Sequence, residues 1–167
     1  MKEALLPFSQ YHLWANQLLL DVITALPEEK QQAEVPSSFK SLYKTVLHLW
    51  DAESIWWQRM KLQERINRPS EQKTYTMNEV SEGLLQQNRQ WNTWIAKAQE
   101  HMLEHEFIYQ NSKKETFKQP VYQVLLHLFN HGTYHRGQLV NMLRQLGEEK
   151  IPPTDFIVWF RNHGLKG

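Results

Sequence analysis

The sequence predicts an all-α protein, a four-helix bundle finished by a short C-terminal helix, and three observations carry that prediction. Apolar residues recur mostly three and four positions apart, the period of a helix face and not of a strand. Capping and breaking residues bracket four long stretches of this pattern. Most of the connections are short and polar, so the helices must bury their apolar faces against one another.

The first helix is expected over residues 5–26, with Trp14, Leu18, Val22 and Ala25 on one face and Pro27 at the exit. A polar loop carrying Pro36 follows. The second helix is expected over 38–62, its inward stripe running through Leu42, Val46, Leu49, Glu53, Trp56 and Met60. Residues 63–75, with Pro69 among them, form a polar connection long enough to cross the bundle instead of turning tightly. Thr76 and Glu79 have capping-box spacing: the hydroxyl accepts from the third helical amide and the carboxylate reaches back. The third helix should therefore occupy 77–105. Residues 107–109 and 116–118 read as two short extended pieces around a polar turn, a small hairpin. Pro120 suits the first turn of the fourth helix, where its missing amide costs nothing. That helix should run to 146, with Gly147 as its stop. After Pro152 and Pro153, Thr154 is placed to cap a last helix through 160. No repeat or low-complexity segment interrupts the pattern.

The length of 167 residues fits one domain, 1–167, with enough chain for a sizeable core. Seven Trp, seven Phe and six Tyr point to an aromatic-rich interior or to pocket walls. Lys plus Arg is 19 and Asp plus Glu is 18, and a net charge of +1 argues against a broad nucleic-acid-binding face. The chain has no Cys, which removes disulfides, thiolate zinc sites and cysteine nucleophiles together. The N-terminus lacks the apolar run of a secretory signal, and no window is apolar enough to span a membrane. The expected compartment is the cytoplasm.

The stretch from His127 to Leu139 is the most informative. His127, His131 and His135 are spaced four apart, which on a helix means about 40° in azimuth and about 6 Å in rise per step. Two imidazoles at that spacing can converge on one ion. His127 and His135 stand about 12 Å apart along the axis, so three cannot converge easily. One adjacent pair shares a metal at most, and a third ligand must come from another helix. His48, mid-helix among apolar neighbours, is the candidate, with His12 a weaker alternative. An unpaired imidazole there would be costly to bury. His101 and His105, flanked by Glu100, Glu104 and Glu106, read as a solvated helix end. Position 132 is Gly, so the general-base Glu of an HExxH zincin is missing. Gly132 and Gly137 suggest close approach of a neighbouring helix or room beside the ligands. Asp51, one turn past His48, is a candidate to orient a ligand.

The segment His131-Gly132-Thr133-Tyr134-His135-Arg136-Gly137-Gln138-Leu139, followed by Leu143-Arg144-Gln145-Leu146-Gly147, resembles the fourth-helix signature of the DinB family. Trp14-Ala15-Asn16, Leu47-His48 with Glu53 and Trp57, and Pro152-Pro153-Thr154-Asp155-Phe156 are similar to other parts of its pattern. The resemblance spans essentially the whole chain. It implies up-down-down-up topology, which accounts for the long second connection. It also implies a metal triad of His48, His131 and His135, with His127 as a supporting or packing neighbour.

Three neutral imidazoles leave a divalent ion, zinc or nickel, an open position for water or substrate. By resemblance, the function expected is that of a metal-dependent enzyme acting on a small molecule. One version is a thiol S-transferase using a low-molecular-weight thiol, and the alternative is a hydrolase. The transferase is favoured because no carboxylate base sits next to the ligands in sequence. A non-catalytic stress-response module with a structural metal is the remaining reading. The resemblance also implies a homodimer, for which Trp91, Trp94 and Ile95 could supply a patch if they do not lie in the core. Trp56 and Trp57 point about 100° apart and should occupy different environments.

Overall fold

In the computed structural model, residues 1–111 and 113–163 are described. Four long helices, α1 (Lys2–Thr24), α3 (Leu42–Met60), α4 (Met77–Lys97) and α6 (Val121–Gln145), form the bundle. Short α2 (Glu28–Gln32) and α5 (Glu100–Glu104), the strands β1 (Glu106–Gln110) and β2 (Thr116–Pro120), and terminal α7 (Phe156–His163) complete the described fold. No helix is long and apolar enough to cross a membrane.

The packing gives the helix directions. One apolar cluster joins Leu19, Leu20 and Ile23 of α1, Leu42, Val46 and Leu49 of α3, Met77, Val80 and Leu84 of α4, and Leu139, Met142 and Leu143 of α6. The other joins Leu5, Trp56, Trp57, Trp91, Ile95 and the stretch from Val121 to Phe129. The start of α3 thus shares a cluster with the start of α4 and with the ends of α1 and α6. The bundle is up-down-down-up. Residues 63–75 carry the chain back along its length through a short 3₁₀ turn, Pro69–Glu71.

The Thr76–Glu79 capping box is present in full, and Gly147 takes φ +86 past the end of α6, a conformation only glycine enters cheaply. The α3 stripe faces inward as its spacing predicts, down to Glu53 at 2% exposure. Other expectations shift. On α1 the deeply buried face is Tyr11, His12, Ala15, Asn16, Leu19 and Ile23, while Trp14, Leu18 and Val22 are half-buried and Ala25 is exposed. Polar His12 and Asn16 had concealed that face. Helix α3 starts at Leu42, not near 38: Lys40 has a positive φ of 58, and Ser41 caps the helix by accepting from the Lys44 amide. The third helix stops at Lys97 because Ala98 turns extended, and α5 is a separate turn that buries Leu103. The hairpin runs 106–120, pairing Phe107 with Gln119 and Tyr109 with Phe117. Pro120 closes β2 and precedes the helix instead of entering it. Helix α7 spans Phe156–His163, with the Trp159 amide donating to the Asp155 carbonyl, and the Thr154 carbonyl accepts a 2.6 Å hydrogen bond from the Tyr11 hydroxyl.

Trp91 and Ile95 lie in the core, leaving only Trp94 of that trio half-buried. Trp57 sets its ring edge against Trp91, whereas Trp56 lies against Tyr109 and His127. The two tryptophans do occupy different environments.

Candidate metal centre

His48 comes from the middle of α3, and His131 and His135 from successive turns of α6. Their Nε2 atoms converge: His131 lies 3.2 Å from His48 and 3.0 Å from His135. One ligand atom from each of the three residues falls within 4.8 Å of the others. A tetrahedral ion with bonds of about 2.0–2.1 Å separates its nitrogen ligands by about 3.3 Å, so the triad has the spacing such an ion needs. His135 donates its Nδ1–H to Gln138 Oε1 at 2.8 Å, which leaves the Nε2 lone pair free to face its neighbours. Gln138 is held in turn by Ser38. Phe39 stacks on His48, with ring centroids 4.0 Å apart, and fixes the imidazole plane.

Burial, reinforced by the neighbouring imidazoles, pushes the pKa of His48 down to about 4 and that of His131 to about 3. Burial also lowers His135, against the opposing effect of its bond to Gln138. At neutral pH all three rings are neutral, the protonation state that can ligate a cation. The donor set of three imidazoles fits a borderline divalent ion.

His127 stays outside the convergent set. It lies against Trp56 and His131, with ring centroids 5.7 and 5.8 Å away. Asp51 is not part of the convergent group; its two oxygens accept from the Ser70 amide at 3.0 Å and the Ser70 hydroxyl at 2.6 Å, pinning the long connection to α3. His101 and His105 are exposed on and just past α5.

His12 belongs to something else. Its Nδ1 accepts from Arg136 Nη1 at 3.0 Å, so Nε2 carries the hydrogen and donates to Glu53 Oε1 at 2.9 Å. Asn88 donates to the second Glu53 oxygen at 2.6 Å and accepts from Asn16, whose own carbonyl receives Arg136 Nη1. All five residues are at most 2% exposed. Burial lowers the His12 pKa more than Glu53 raises it, consistent with a neutral ring between an anion and a cation. Every one of the four long helices contributes to this belt, which lies between the two apolar clusters and directly behind the triad. Gly132 is the reason it fits: a Cβ there would overlap His12 Cε1 and stand 2.8 Å from Nδ1. Gly137, by contrast, faces open space.

Sequence reasoning missed Gln138, Phe39 and the belt. A buried-side Asn16 one turn from His12, and an Arg136 amid apolar positions of α6, were the available signals.

Fold and site together define a class: four-helix bundles of up-down-down-up order carrying a three-histidine cluster able to hold a metal ion. The chain belongs to the DinB family, whose model matches residues 1–161. It is 28% identical over 156 residues to Protein DinB of Bacillus subtilis (strain 168), covering 88% of each chain. Its fold is similar to the crystal structure of a DinB-like protein from Bacillus cereus ATCC 10987, with a TM-score of 0.61 at 18% identity, over 87% of this chain and 94% of that one.

Proposed function

We propose that His48, His131 and His135 hold a divalent ion, zinc or nickel, and that the protein is a metal-dependent enzyme transferring a low-molecular-weight thiol to a small electrophile. The observation that carries the metal reading is the convergence of three neutral Nε2 atoms at the spacing of a tetrahedral ion. When bound, such an ion supplies Lewis-acid chemistry, lowering the pKa of whatever thiol or water fills its open position. Gln138 fixes the His135 tautomer, and Phe39 fixes the His48 ring plane.

Transfer is favoured over hydrolysis by the carboxylates. Asp51 is engaged by Ser70, and Glu53 is engaged by His12 and Asn88. Neither is free to act as a general base, and a thiol, intrinsically more acidic than water, releases its proton to solvent at the metal more readily than water does. The test is metal per chain by elemental analysis of untagged protein, then a thiol-conjugation assay with an electrophilic reporter. About one zinc or nickel per chain, with metal-dependent conjugation, is the expected result. Failure to retain metal after reconstitution would overturn the reading.

A further inference from the structure

A cavity of about 360 Å³ opens beside the triad, with His48 and His131 in its wall. It follows α3 through Asp51, Ala52 and Ile55 to Arg59, a rise of about 16 Å from His48. Rings pave the route: His131 lies beside His127, His127 beside Trp56, and the Arg59 guanidinium over Trp56 at 4.8 Å. Arg68, from the long connection, lines the same far end and also a second cavity that shares Arg59.

Among the described residues Arg59 has no paired carboxylate and Arg68 only a distant one, although Glu64 and Glu71 line the second cavity. Arg59 Nε is buried with no hydrogen-bond partner, and no carboxylate pairs with the residue among the described residues. Its other neighbours are the faces of Trp56 and Tyr109. Burial and the like charge of Arg68 both act against its protonated form. Among the described residues Arg68 has a single ion pair, a long 3.7 Å contact to exposed Glu71. The one carboxylate in the cavity wall, Asp51, is held by Ser70. A guanidinium with a buried, unused N–H beside a second guanidinium is an incomplete charge arrangement, and an oxyanion completes it with short, charge-assisted bonds.

We propose that Arg59 and Arg68 form an anion subsite, so that the small molecule serving the triad is elongated and carries a carboxylate or phosphate at the end remote from its reacting group. This rests on the metal reading only for the reacting end; the subsite stands on the arginines.

The experiment compares 6-mercaptohexanoate, 6-mercaptohexyl phosphate and neutral 6-mercaptohexanol by calorimetry on zinc-loaded protein. An anionic thiol should bind about tenfold more tightly than the alcohol, and the advantage should shrink with added salt. Whichever anion binds better identifies the oxyanion. Arg68→Gln, at a solvent-exposed position, and Arg59→Lys should each cut the advantage severalfold while leaving zinc content unchanged. Equal affinity for all three thiols, or an advantage that survives both substitutions, would overturn the proposal. A readout independent of metal is the Arg59 Nε–H resonance in chelator-treated protein. It should shift on titration with hexanoate and not with hexanol; no shift would sink the subsite even if the triad binds zinc. If the triad holds no metal but the resonance shifts, the subsite stands and the metal reading alone fails.

Discussion

His135 and Gln138 show how one hydrogen bond decides what a histidine can do. With Nδ1–H committed to the Gln138 oxygen, Nε2 has only a lone pair to offer. His48 and His131 complete the set, and His127 stands aside against Trp56. His48→Ala should therefore lower metal content by more than about tenfold, with the helical circular dichroism unchanged, while His127→Ala keeps most of its metal. The reverse pattern would refute the assignment. The lowered pKa values have a sign that stability must follow. The folded imidazoles stay neutral down to about 4 for His48 and about 3 for His131, against the usual histidine value of 6.5. Between those limits the unfolded chain binds more protons, so metal-stripped protein is most stable above about pH 6.5 and loses stability as pH falls. Melting curves of chelator-treated protein at about pH 7.5 and about pH 5 should show the drop, and His131→Asn should lessen it. The i, i+4 spacing of His131 and His135 was legible in the sequence, because both sit on one helix. What joins them to His48 is a contact between helices, and spacing alone left His12 open as an alternative. His48 was the leading candidate from its mid-helix place among apolar neighbours, and the family resemblance added to that reading.

Helices announce themselves through their faces, and a face written in polar residues is the hardest to see. The stripe on α3 was plain in Leu42, Val46 and Leu49, but on α1 the innermost residues include His12 and Asn16, so apolar spacing pointed to the neighbouring side. The breaks at Lys40 and Ala98 were equally hidden, since neither is a glycine or proline. The buried belt explains what the polar face of α1 is for. Glu53 and Arg136 are charged groups held mainly from other helices, with Arg136 also donating to Thr133 of its own. Arg136→Met should cost about 3–5 kcal/mol in chemical denaturation, because it strands Glu53 and His12 without their cation. Combining it with Glu53→Gln should cost much less than the sum of the two single changes. Additive losses would show that the residues do not act as one network.

At the scale of the whole molecule, two apolar clusters sit on either side of the belt and hold all four helices without help from the triad. Removing metal should therefore lower the melting temperature by only a few degrees, following mass action on a preformed site. Scanning calorimetry with and without chelator decides this, and collapse of the folded state on chelation would instead mark the metal as structural. The topology was legible only in part: the long connection at 63–75 signalled a crossing, while the direction of each helix follows from which ends share a cluster. The belt has a further consequence for which arrangements of these helices can exist at all. Apolar clusters tolerate sliding, since leucine packs acceptably against many neighbours. Glu53, His12, Asn16, Asn88 and Arg136 do not, because a slip of one turn in any helix would strand a buried charge or amide. The belt works as a tumbler lock admitting a single register, and that register brings a ring from α3 within 3.2 Å of a ring from α6.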